Sequence, residues 1–371
     1  MLRVQPIMFQ LRSRKNPKGP TMSQARHIKK DLGIGRLDFM APAPSPRFDK
    51  LTNWVGLPDS LDALDLTIYT HKLGSNGHFP DNIQKYRVYN NEWQFKGLPI
   101  IQRACGEITL VVDVIRIDNL PINENLFNKR DLALTCLENI KYAHAEVHTE
   151  PPKNDVFNLN PQKWPTYLGP INSQWIKKIN TDWLYYEFQS LTHHSSTVAW
   201  ITPLTDQHFI LFNFSVSRSC PNNNNAYRIE EHVPRKNFLD YIHKFMDIVE
   251  IELQPEFEQK REQQKKLEDE AKPVIEATPE HIALAKTVMH EWSDCQYKDP
   301  SKDKGEDRRA PFKDVSDRID WIVTPKPTPG SYPRGELIYN HAIMEKLKQD
   351  SAQASMMQTA LESSTNDNPL A

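Results

Sequence analysis

Between Thr197 and Leu253 the hydrophobic period switches from two to about 3.6 and back to two, and no other stretch constrains the fold as tightly. Thr197–Thr202 and His208–Val216 flank Pro203–Gln207 and read as a β-hairpin. Ile210, Phe212, Phe214 and Val216 fall on one face of its second arm, while Phe209 and Leu211 share the other with Asn213 and Ser215. After a polar loop at Asn222–Asn225, Phe238, Tyr241, Ile242 and Phe245 recur at helical spacing and give an amphipathic helix. It runs straight into Val249, Ile251 and Leu253 alternating with Glu250 and Glu252, a half-exposed strand. The expectation is an α+β fold: an antiparallel sheet with helices packed on one face, followed by a charged, mostly helical or irregular C-terminal extension.

Other segments fill in that sheet. Leu66–His71, Trp93–Gln102 and Ile108–Asp118 read as strands, with a Cys-Gly turn candidate inside Arg103–Glu107. The run Ile108–Asp118 is β-branched and apolar on both faces, as a central strand should be. Ala133, Leu137 and Ile140 recur at helical spacing and place a helix over Asn123–Tyr142. Trp183–Phe188 is a further, aromatic strand.

The ends differ from this middle. Residues 1–37 hold nine Lys/Arg against the single acid Asp31, a local charge of +8. Without amphipathic periodicity this reads as a basic, disordered arm before it reads as a transit peptide or as an extension upstream of a start at Met22. Residues 38–254 form the core domain, and 255–348 a charged linker with short helices. There Glu256–Glu270 has only Phe257 and Leu267 to bury, whereas Thr278 caps a helix that opens at Pro279 and carries Ile282, Ala285, Met289 and Trp292 on one stripe. Pro325, Pro327, Pro329 and Pro333 mark an extended segment, Glu336–Lys348 a last helix, and 349–371 a polar, disordered tail.

Composition narrows the function classes. The chain has 371 residues with a formal net charge of −2, so no global field draws it to nucleic acid; only the arm 1–37 would offer that contact. Glycine is scarce, 12 residues against 28 prolines, which argues against glycine-rich phosphate loops. No P-loop, G-x-S-x-G elbow, H-E-x-x-H or EF-hand pattern occurs, and no apolar run approaches the ~18–20 residues of a membrane span. Cys105, Cys136, Cys220 and Cys295 are widely spaced and read as reduced thiols. Met1–Met22 lacks an apolar stretch ending in a small-residue cleavage site, and the two observations together point to the cytoplasm.

Three sets of residues carry candidate chemistry. His144, Glu146, His148 and Glu150 would share one face of a strand and could hold a divalent cation such as zinc, with Asp113 or His208 assisting as catalytic groups of a hydrolase. The plainer reading is a wet strand face, or the C-terminal end of the preceding helix, where positive charge is favourable. Asp113 lies inside an apolar strand and must face solvent, a cleft or a cation; a structural ion pair is its plainer role. His208, beside Ile210 and Phe212, reads first as a hydrogen-bonded, partly buried histidine. Trp164, Tyr167 and Trp175 belong to an aromatic cluster that reads first as core packing; Trp164 and Trp175 fall in a Pro/Asn/Gly-rich loop, where exposure would suit partner contact.

The hairpin, polar loop, amphipathic helix and acidic alternating strand of Thr197–Leu253 resemble, in element order, PsbP-like α+β sandwich domains over about a third of the chain. No motif residue matches, so no site carries across; the resemblance implies a binding or accessory role. The function expected from the sequence is a soluble, non-catalytic protein-binding module of accessory or immunity type, without a cofactor. The alternative is a metal-dependent hydrolase built on His144, Glu146 and His148.

Overall fold

In the computed structural model the described residues are 15–45, 57–70, 82–97, 104–144, 167–179, 181–190, 195–220, 229, 232–265, 277–296 and 311–323. The chain separates into two compact units, Met1–Pro152 with Pro161–Ile282, and Lys153–Asn160 with Ala283–Ala371.

The first unit is built on two antiparallel sheets. Strands β1 (Arg26–Asp31), β2 (Gly35–Ala41) and β9 (Glu250–Leu253) form a three-stranded sheet in the order β1-β2-β9. The larger sheet runs β3-β4-β8-β7-β6-β5, from β3 (Ile83–Lys96), β4 (Ala104–Ile117), β5 (Tyr167–Lys178), β6 (Thr181–Ser190), β7 (Ser196–Pro203) and β8 (His208–Arg218). The β7–β8 hairpin has the expected antiparallel register, Thr202 against Ile210 and Trp200 against Phe212. The α+β class and antiparallel pairing read from the sequence are those observed.

The two faces of the six-stranded sheet bury different cores. One takes Ile108, Leu110, Val112, Trp183, Trp200, Ile210, Phe212 and Phe214. Helix α2 (Lys236–Met246) packs there through Phe238, Ile242, Phe245 and Met246, and the three-stranded sheet adds Leu37 and Phe39. Phe39 makes edge contacts with Phe212 at 6.0 Å and Phe245 at 5.6 Å, joining sheet, sheet and helix. The opposite face takes Ile115, Leu184, Tyr186, Ala199, Ile201 and Phe209 against Leu132, Ala133, Cys136 and Ile140 of helix α1 (Lys129–His144). Helical cover is thus divided between both faces rather than gathered on one, because β4, β6, β7 and β8 are apolar on each side.

Several boundaries differ from the sequence reading. Leu66–Thr70 is a short 3-10 helix, not a strand: the Asp65 carboxylate accepts the Thr67 N–H at 2.8 Å, and this local bond overrides β propensity. Cys105 and Gly106 lie within β4 instead of a turn. A Cβ on Gly106 would meet the Ser217 carbonyl at 2.4 Å and the Phe238 ring at 2.8 Å, so glycine lets β8 and α2 close on the strand. Helix α1 begins at Lys129, not Asn123, because the Asn128 side chain caps the Arg130 N–H at 2.9 Å while Asn125 and Asp131 bond each other's segment.

The basic stretch read as an arm is folded over Arg26–Ala41, where β1 pairs with β2 through the Gly33 turn. Its charges are engaged. The Lys30 ammonium, 5% exposed, donates to the Leu57 and Pro58 carbonyls at 3.2 and 2.9 Å and pairs with Asp59 at 2.8 Å. Arg36 pairs with Glu252 at 2.8 Å. Residues 1–14 lie outside the described residues, and what remains of the +8 field is smaller than the sequence count implies.

Helix α3 (Pro255–Lys265) closes the unit by burying Phe257 alone, as its composition requires. Helix α4 (Pro279–Gln296) starts under the Thr278 cap, whose hydroxyl oxygen accepts the His281 N–H at 3.2 Å. In the second unit Ala285 and Met289 of α4 are buried, and Lys286 pairs at 2.7 Å with Asp320 of α5 (Phe312–Val323), a helix the sequence reading missed in a densely charged stretch. The expected helix Glu336–Lys348 and the tail 349–371 lie outside the described residues.

Candidate functional site

The β5–β6 hairpin and the start of α1 enclose a cleft at one end of the six-stranded sheet. Its cavity volume is about 30 Å³, room for about one water-sized group and none for a cofactor. Trp175 of β5 forms part of its wall, with Leu126, Phe127, Leu132 and Pro203 as apolar neighbours. The Lys129 ammonium sits 5.6 Å above the Trp175 ring and 3.3 Å from the Asp182 carboxylate. Thr202 donates its hydroxyl to the Asp182 carbonyl at 3.0 Å and fixes that residue. Arg261 and Lys265 of α3 complete the lining, and each of the three cations is paired: Lys129 with Asp182, Arg261 with Glu258, and Lys265 with Glu262 at 2.7 Å. Arg261 pairs with Glu258, yet its buried Nε–H has no acceptor among the described residues.

The strand carries the surface outward. Register Lys177↔Asp182 puts Trp175 and Lys177 on one side of β5, and the exposed Lys177 is followed by the exposed Ile179 in the hairpin loop. Ile179 adopts φ +48°, a left-handed conformation that a β-branched residue rarely takes, at the first position of the two-residue hairpin loop. It is 47% exposed, so packing does not explain isoleucine there. Ile179→Asn is expected to stabilise the fold by about 1 kcal/mol, because asparagine tolerates this φ. A thermal melt raised by roughly 2–4 °C checks it; an unchanged or lower melting temperature contradicts the strain.

The sequence-derived candidates are dispersed. Trp175 lies in a strand, half-buried, not in a loop; Tyr167 opens the same strand; Trp164 lies outside the described residues. His144 is the last residue of α1, which removes the strand reading at that position, and Glu146 and His148 lie outside the described residues. No group of three or more His, Cys, Asp or Glu is placed to hold a metal among the described residues.

Asp113, 6% exposed, accepts a 3.0 Å hydrogen bond from Arg87 Nε, and it lies opposite Leu211 on the α1 side of the sheet. His208 belongs to the face that carries Ile210, the other side. Asp113 and His208 therefore cannot act on one substrate atom as an acid–base pair. His208 is buried with Nδ1 2.7 Å from Thr205 Oγ1; that oxygen already accepts the His208 and Gln207 N–H groups, so its hydroxyl proton points to Nδ1 and the neutral ring carries its proton on Nε2. Burial, and then the Arg116 charge, push its pKa down to about 4.

No family model, curated protein or solved structure matches this chain. The site therefore rests on its own chemistry.

A second polar cluster, absent from the sequence reading, lies under α2. Glu187 and Arg235, each 3% exposed, form an ion pair, and the Tyr185 hydroxyl donates to the other Glu187 oxygen at 2.5 Å. His243 stacks on Tyr185 at 5.4 Å and meets Trp200 edge-on at 5.1 Å; burial first, and Lys178 second, lower its pKa. Lys178 pairs with Asp247 at the end of the helix. Arg235, His243 and Asp247 thus fasten one side of α2 to β5, β6 and β7, and the cluster's work is structural. Its one sequence signal was Glu187 inside the aromatic run of β6. Lys129, Asp182, Arg261 and Lys265 had no signal, since only the fold brings them to Trp175.

No described helix is long and apolar enough to cross a membrane.

Proposed function

We propose that the protein is a cytoplasmic, non-catalytic binding module of accessory or immunity type that recognises a partner protein through the cleft at Trp175. One observation carries this reading: a half-buried tryptophan in a small, open cleft, rimmed by ion pairs and continued by the exposed Lys177 and Ile179. Interface anchors are enriched in tryptophan and arginine seated in such pockets, with neighbouring groups that exclude water. Cys105, Cys136 and Cys220, buried as free thiols, suit a reducing compartment, and the PsbP-like element order points the same way.

Affinity capture at mild salt, with the full chain as bait, is the test. A partner recovered by the wild type is expected to be lost with Trp175→Ala and weakened at least about tenfold with Lys265→Glu, a change of ~1.4 kcal/mol or more. Lys265, 34% exposed on α3, pairs with Glu262 at 2.7 Å, so its reversal costs one surface ion pair and is expected to lower the melting temperature by no more than about 4 °C. A partner held equally by both variants, or no partner at all, overturns the reading.

A further inference from the structure

We infer that residues 15–20 are the chain's own occupant of a strand-addition site on the outer edge of β3, and that the external ligand of this site is an extended segment of a partner protein with an acid followed by glycine. The edge lies across the six-stranded sheet from β5 and Trp175, so it is a second surface, independent of the cleft. Its occupant is in place. Lys18 and Lys96 exchange both backbone hydrogen bonds, each 3.0 Å, as one antiparallel bridge. Gly19 lies against Phe95, where a Cβ would meet the ring at 2.8 Å. That ring has nowhere to move, because Phe238 stacks on it at 4.3 Å and Tyr241 meets it edge-on at 5.2 Å. Pro17 is buried, and the Asn237 side chain donates to the Lys15 carbonyl at 3.0 Å. Main-chain pairing at an edge, with a fixed seat for one residue, is how sheets take up extended peptides.

The chain's own segment fits this site poorly. Lys18 and Lys96 stand directly opposite each other, both exposed, and neither has an ion pair among the described residues. Like charges so placed oppose pairing, whereas an acid in the Lys18 position would favour it. The same register sets Pro20 opposite Gln94, and proline has no N–H to offer, so the ladder ends after a single bridge. Any other residue there adds a donor. The contact with Phe95 admits only glycine between the two. The site therefore selects an acid, then glycine, then a residue other than proline. Met22, packed on the core, tethers the segment at its other end, so leaving the edge does not require β1 to move.

Three fluorescein-labelled peptides are the probes: Asn-Pro-Glu-Gly-Ser-Thr, the same with Lys for Glu, and the same with Val for Gly. Fluorescence anisotropy reads their binding to the full chain at up to about 1 mM protein. Gly19→Val unseats the chain's own segment; Lys18→Pro, at an exposed position, deletes the same bridge and serves if valine impairs folding. The Glu peptide is expected to bind either variant at least about tenfold more tightly than wild type, whose site is already filled. At low salt it is expected to bind about fivefold more tightly than the Lys peptide, and the Val peptide is expected not to bind. Adding Lys96→Glu to the same variant reverses the order of the Glu and Lys peptides, which a merely structural role for the bridge would not do. Trp175→Ala leaves these results unchanged, so the two surfaces fail separately. Equal binding to wild type and variant, no binding to either variant, a Val peptide as tight as the Glu peptide, or an order indifferent to Lys96→Glu overturns the inference.

Discussion

Arg235→Met is expected to lower the unfolding free energy by about 3–5 kcal/mol, because it breaks a buried ion pair and leaves its partner behind. The guanidinium is buried against Glu187 and neutralises a carboxylate that β6 places on its α2 side, between Tyr185 and the helix. Removing it leaves Glu187 charged, or forces the carboxyl to take a proton, in a setting from which water is excluded. Urea unfolding followed by the fluorescence of the buried Trp183 and Trp200 measures the loss. The double variant Arg235→Met with Glu187→Leu is the decisive companion. It removes both charges, sacrifices the Tyr185 hydrogen bond, and is expected to recover to within about 1–2 kcal/mol of wild type. A single variant that costs under about 1 kcal/mol would mean that the pair does not hold α2 to the sheet.

The second large effect is on acid stability. His208 has a folded pKa near 4 and an unfolded one near 6.5, so between those values the unfolded chain binds more protons and folding weakens as the pH falls. The stability is fully present above pH ~6.5, is lost progressively below it, and the loss is complete once the pH has dropped past the folded value, for a total of about 3 kcal/mol. The cause is local. Protonating Nδ1 removes the acceptor of the Thr205 hydroxyl and places a second cation near Arg116, and the acids Asp206 and Asp118 offset only part of this. His208→Gln keeps a polar group at the site without the titration. Its stability is expected to fall by about 2–3 kcal/mol less than wild type between pH 7.5 and 4.5. Parallel curves for the two proteins would show that His208 does not set the acid limit.

What could be read from the sequence tracks how local each cause is. The β7–β8 hairpin, α2 and β9 follow from alternation and helical spacing within single segments, and they stand at the expected residues. The strand expected at Leu66–His71 failed because a single aspartate carboxylate stabilises a turn that composition does not reveal. The arm boundary failed because a count of lysines does not show that Lys30 is held by three oxygens from 57–59. Of the candidate site, Trp175 was visible as an aromatic in a region of unusual composition. Lys129, Asp182 and the Arg261/Lys265 pair come from three separate segments, and only the fold brings them together.

The unequal cores on the two sides of the β4–β8–β7–β6 block have a consequence for how the strands find their alignment. In an ordinary half-buried sheet, slipping a strand by one residue exposes its greasy side, and polarity alone forbids the error. Here a slip in β8 would trade Phe212 and Phe214 for Leu211 and Asn213 between two dry compartments, so wetting would not reject it as firmly. Discrimination falls instead to shape: the core beneath α2 is filled by the rings of Phe39, Trp183, Trp200, Phe212, Phe214 and Phe245, whereas the core beneath α1 is largely aliphatic around Tyr186, Phe188 and Phe209. The irregularities at Val88 of β3 and at Cys105 of β4, where those two strands step out of phase, act as notches that let their ladder lock in one position.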